Sequence, residues 1–130
     1  MSIHQMISLH PDVGRDLNEA LANAAKHSMY CALICTSCAD ACIAEEDDMR
    51  QCIRSCLDCA DVCNATSRLA VRRSAQNIEV LRAMLETCAR ACELCGAECV
   101  RQSHHRHCVL CAQMCRECAE DCRKALPTVN

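Results

Sequence analysis

The chain has 130 residues and a formal charge of −3, built from 14 basic and 17 acidic side chains that are well mixed along it, so no basic stripe is available for nucleic acid. Cysteine supplies 17 residues, above the roughly 8–10% that marks a cysteine-specialised chain, while Phe and Trp are absent and Tyr30 is the single large ring. Two Gly and two Pro are too few for a loop-rich, disulfide-stapled secreted fold, and no apolar run approaches the length of a membrane span.

One domain, 1–130, is expected, helical almost throughout. Residues 1–11 lack a basic stretch followed by an apolar one, so they are read as an N-terminal tail carrying His4 and His10 rather than an export signal. That reading places the chain in the cytoplasm, where thiols stay reduced. Helix A is predicted over 12–44, with Pro11 and Asp12 at its start. It carries Cys31, Cys35, Cys38 and Cys42, spaced four, three, four. The acidic run Glu45–Asp48 ends helix A and opens helix B, 48–72, where Cys52, Cys56, Cys59 and Cys63 repeat that spacing. Helix C, 75–101, repeats it with Cys88, Cys92, Cys95 and Cys99. Helix D, 104–125, carries Cys108, Cys111, Cys115, Cys118 and Cys122, and stepping back four residues from Cys108 reaches His104.

Alternating steps of three and four trace the a/d seam of an amphipathic helix, a line normally filled by Leu, Ile or Val. Between the cysteines lie helix formers and charges such as Asp40, Arg54, Arg90, Glu93, Arg116 and Glu120, which suit a solvated outer face. Four such helices joined by short turns describe an all-α fold, an antiparallel up-down-up-down four-helix bundle with a cysteine-lined core. Followed away from the cysteines, the seam stays in phase but turns aliphatic: Ser28, Ala24, Leu21 and Leu17 in helix A, and Leu85, Leu81 and Ile78 in helix C. In this topology the thiols gather at the end that holds the A–B and C–D turns, and the leucines close the other end. His104, His105, His107, Met49 and Glu45 fall at the open end. His104 is the strongest non-cysteine candidate because it holds a seam position. His27 is read as a satisfied core histidine, Asp58 and Asp61 as solvated, Gly96 as relief of crowding beside the thiols, and Arg68, Arg72 and Arg73 as cations at a helix C-terminus.

A lone buried cysteine is a small hydrophobe and needs no function. Seventeen on one seam are different, because leucine there would bury more area at about 25 cal/mol per Å². Thiols one helical turn apart have Cβ atoms about 5–6 Å apart, too far for a disulfide. Metal binding remains. Zn²⁺ and iron–sulfur sites usually draw on cysteines in turns and loops, whereas Cu(I) is soft, prefers thiolate and accepts two sulfurs nearly in line, so each i, i+4 pair is a candidate site. With sulfurs shared between ions, capacity is on the order of 17, one Cu(I) per cysteine. Replacing a thiol proton by Cu⁺ leaves the net charge unchanged. No general base is paired with a nucleophile, so an enzyme is not expected. The rival readings are a metallothionein-like sink for Zn²⁺ or Cd²⁺ and an iron–sulfur or thiol redox protein.

The repeated Cys-x3-Cys-x2-Cys-x3-Cys blocks, one on each helix, resemble those of the bacterial four-helix-bundle copper-storage proteins, over essentially residues 12–125. The resemblance implies many Cu(I) ions held inside each bundle by cysteine pairs, and a homotetramer. Without a twin-arginine signal, the chain resembles the cytosolic branch. The implied copper ligands are the seventeen cysteines that match the blocks.

Overall fold

In the computed structural model, which describes residues 1–72 and 77–130, the thiol-bearing segments all fold as helices. A short α1 (Ile3–Ser8) precedes α2 (Glu19–Ile43), α3 (Arg50–Ala70), α4 (Ile78–Arg101) and α5 (Arg106–Ala125), and a 3-10 turn, Leu126–Thr128, ends the chain. The expected helices A to D correspond to α2 to α5. The expected start of helix C at 75, and Arg73 of the basic cluster, lie outside the described residues.

Helix A begins later than its sequence suggested. Gly14 takes φ +52°, a left-handed backbone that interrupts any helix running from Asp12. Asn18 then caps α2, its Oδ1 accepting from Leu21 N at 3.0 Å. The tail is also more ordered than expected. Ser2 caps α1, with its Oγ accepting from Gln5 N at 3.1 Å, and His4 Nε2 lies 2.9 Å from Asn23 Oδ1 on α2. His10 Nδ1 accepts from Asp12 N at 3.0 Å. Ile7, Val13 and Ala22 form a small satellite core here, against which Ile3 and Leu17 pack. Leu17 therefore belongs to the N-terminal segment and does not continue the bundle seam.

Each long helix packs against its chain neighbours, and α5 closes the ring against α2. Thiol neighbours give the direction: Cys42 meets Cys108 and Cys31 meets Cys115 between α2 and α5, while Cys52 meets Cys99 and Cys63 meets Cys88 between α3 and α4. Rising numbers on one helix thus pair with falling numbers on the next, as in an antiparallel bundle. The closed end is built from Leu21, Leu81, Leu85, Ala70, Ala125 and Val129, with Ile78 and Leu126 beside them. Arg82 Nη1 ties the C-terminal turn down by donating to Leu126 O at 3.1 Å and Val129 O at 2.6 Å. The leucines thus do close the end away from the α2–α3 and α4–α5 turns, with help from a C-terminal segment the seam did not include.

Candidate metal centre

All seventeen cysteines are free thiols with exposures of 0–2%, so the four seams face one another across a single dry core. Among the described residues no charged side chain is buried with them; the buried polar groups are Ser28, Thr66 and Ser67. Each of these satisfies itself on its own helix, through Ala25 O at 3.1 Å, Val62 O at 2.7 Å and Asn64 O at 2.8 Å.

The sulfurs form a continuous three-dimensional array rather than separate ladders. Along single helices, Cys31–Cys35 and Cys59–Cys63 approach to 3.8 Å and Cys95–Cys99 to 4.0 Å. Contacts between helices are as short: Cys63–Cys92 at 3.5 Å, Cys35–Cys111 and Cys59–Cys92 at 3.7 Å, Cys35–Cys115 and Cys56–Cys95 at 3.8 Å, and Cys56–Cys111 at 3.9 Å. Quartets result, such as Cys31, Cys59, Cys63 and Cys92, or Cys38, Cys56, Cys99 and Cys111, whose sulfurs all lie within 4.8 Å of one another. The i, i+4 pair is thus only part of a candidate site, because the facing helices bring sulfurs equally close. Antiparallel packing interleaves the seams, which a single helix cannot reveal. Soft thiolates in bridging range are a donor set for a soft ion shared by two or three sulfurs.

Burial by itself favours the protonated form of these thiols. It pushes Cys42 up to about 12 and raises Cys52 and Cys108 above their ordinary value. Cys38 and Cys95 differ: Cys111 raises both, but hydrogen bonds from Cys56 and Cys99 to Cys38, and from Cys115 and Cys35 to Cys95, bring each down to about 6.

At the open end, the imidazole that meets the thiols is His107. Its Nδ1 lies 3.3 Å from Cys38 Sγ and 3.5 Å from Cys108 Sγ, and with Cys42 these residues make a Cys₃His cluster. His104, the stronger candidate in the sequence, is exposed and places its Nε2 3.1 Å from Asp47 Oδ2. The reason is local. Helix α5 starts at Arg106, so a four-residue step back from Cys108 leaves the helix and no longer predicts a face. His107 is inside the first turn, and its place beside Cys108 was the signal that could have found it. His105 sits between Asp47 and Glu45, and the His104 and His105 rings hold the Asp47 carboxyl below its usual range. Met49 is buried at the N-cap of α3, packed in the core cluster. His27 is half-buried and paired with Asp121 of α5, so it is satisfied at the bundle wall rather than in the core. Asp58 and Asp61 are exposed, as expected.

This arrangement has close counterparts. The chain is 39% identical to the structure of the copper storage protein Ccsp from Streptomyces lividans loaded with 10 copper equivalents, at a TM-score of 0.91 and covering 97% of this chain and 98% of that one. It is 43% identical to the cytosolic copper storage protein from the same organism with five coppers, at a TM-score of 0.81 and covering 84% and 93%. A curated relative, the uncharacterized cysteine-rich protein YhjQ of Bacillus subtilis (strain 168), is 36% identical over 95 residues, 72% of this chain and 83% of that protein. The family model described as "Csp: Copper storage protein" matches residues 17–127, the span that holds every cysteine and all four long helices, and the chain belongs to that family.

Proposed function

We propose that this chain stores Cu(I) in the cytosol, and so detoxifies it, by holding many ions on the thiolates inside the bundle. The observation that carries this reading is the array itself, with buried sulfurs linked at 3.5–4.0 Å along α2, α3 and α4 and between all four helices. The seventeen cysteines are the ligands, and His107 completes the outermost set. Each Cu⁺ that displaces a thiol proton leaves the net charge unchanged, so the core fills without accumulating charge. Nothing in this arrangement calls for turnover, and the chain acts as a reservoir rather than an enzyme. Likeness to a Streptomyces protein described as cytosolic supports the location. Leu33, Leu94, Val100 and Leu110 lie exposed on the outer surface, which supports association into the homotetramer implied by the resemblance.

Anaerobic titration of the reduced protein with Cu(I), read against a competing Cu(I) chelator, tests this. Loading near one ion per cysteine is expected. Sulfur quartets also favour a second reading, a Zn²⁺ or Cd²⁺ sink, which predicts about one ion per three or four thiols. Cu(I) that fails to displace bound Zn²⁺ would overturn the copper reading.

A further inference from the structure

Outside the thiols, the open end carries a second donor set of different chemistry. Asp47, in the turn between α2 and α3, faces two histidines in the turn between α4 and α5. Its Oδ2 lies 3.1 Å from His104 Nε2, and its two oxygens lie 3.0 and 3.2 Å from His105 Nε2. The ring centroids of His104 and His105 are 4.1 Å apart. The other nitrogen of His105, Nδ1, is taken by the Glu45 carboxylate.

We propose that His104, His105 and Asp47 form a binding site for a borderline divalent metal ion of the Zn²⁺, Co²⁺ or Ni²⁺ class, with Glu45 orienting His105 and water completing the coordination. The inference goes beyond copper storage and does not depend on it. Two imidazole nitrogens and a carboxylate suit such ions, whereas Cu(I) is drawn to the thiolates below. A carboxylate on the far nitrogen of a ligating histidine is the usual outer-shell arrangement that fixes ring and tautomer. Both nitrogens of His105 face carboxylates, yet a neutral imidazole has one N–H to give. A cation on Nε2 satisfies the second carboxylate while Nδ1–H serves Glu45. Of the arginines that flank the two turns, Arg50 pairs with Asp48 and Arg101 with Glu98. His107 stacks on His105 at 5.5 Å, and its Nε2 is buried with no hydrogen-bond partner, so the imidazole row still holds an unspent nitrogen next to the site. An ion here joins the two turns, one stacked imidazole away from Cys38 and Cys108.

The test fills the reduced full chain with Cu(I) until it takes no more, so that the thiols are occupied, and then titrates it with Zn²⁺ by calorimetry and with Co²⁺ by absorption. One further Zn²⁺ per chain is expected, with a Co²⁺ spectrum that lacks sulfur-to-cobalt charge transfer. Asp47→Asn removes a ligand, and Glu45→Gln, which acts only through His105, weakens Zn²⁺ binding by roughly tenfold. Histidine ring NMR of the unaltered protein gives a readout independent of any variant: Zn²⁺ shifts the His104 and His105 resonances and leaves His4 and His10 in place. Absence of extra Zn²⁺, an affinity unchanged by Asp47→Asn, a thiolate charge-transfer band, or unmoved His104 and His105 signals would each overturn the proposal.

Discussion

Gly96 lies in α4 between Cys95 and Ala97, on the side facing α5. A Cβ there would sit 3.5 Å from Cys115 Cβ and 3.7 Å from Ala112 O, which is ordinary van der Waals contact. The crowding that the sequence suggested beside the thiols is therefore absent at this position, and the glycine only weakens the helix. Gly96→Ala is expected to stabilise the reduced, metal-free protein by about 0.8–1 kcal/mol, seen as a higher midpoint in thermal unfolding. A lower midpoint would mean that α5 cannot accept even a methyl group. His107 is the second informative residue, because it is the one imidazole described on the thiols. His107→Ala is expected to weaken the Cu(I) held at the mouth by at least about tenfold, the cost already typical of losing an outer-shell partner. Competition with a chelator at low copper loading reads this directly, and His104→Ala, whose ring lies on Asp47, should have the smaller effect.

At the scale of elements, α2 shows how a helix start depends on more than periodicity. Apolar spacing continues back through Leu17, but Gly14 takes a positive φ and Asn18 supplies the cap. Asn18 also reaches the other terminus, its Nδ2 donating to Thr128 Oγ1 at 2.9 Å. Asn18→Ala removes both the cap and this tie. It is expected to cost about 1–2 kcal/mol, measured by denaturant unfolding of the reduced protein, with copper capacity retained. The same logic explains the histidines: α5 begins after His105, so a face predicted for residue 104 from the α5 seam has no helix to carry it. Inside the helices the phase held, and every cysteine assigned to the seam is buried.

For the whole molecule, the raised thiols Cys42, Cys52 and Cys108 make stability fall at alkaline pH. Cys42 is pushed from an ordinary 9.0 up to about 12, and burial raises Cys52 and Cys108 in the same sense. Above pH 9 the unfolded chain loses these protons before the folded one does. The stabilisation is therefore complete below pH 9 and is lost progressively between pH 9 and 12. Thermal midpoints of reduced, metal-free protein should fall from pH 9 to 12; a rise there would contradict the raised Cys42, Cys52 and Cys108. Copper-filled protein has no thiol protons to lose and should show a flatter profile.

What the sequence determined by itself is whatever repeats with the helical period. Steps of three and four placed the cysteines on one face of each helix, set the all-α class and the short-turn topology, and identified thiolate as the donor for soft metal. These properties are local, because each is decided by neighbours three or four residues away along the chain. Only the tertiary structure decided which sulfurs meet between helices, that His107 rather than His104 stands on them, and that Asp47 and Glu45 gather His104 and His105 at the mouth. Those outcomes depend on the register between helices and on where each turn releases the chain. Residues such as Asp47 and His105 are brought together across two turns, and no period in the sequence links them.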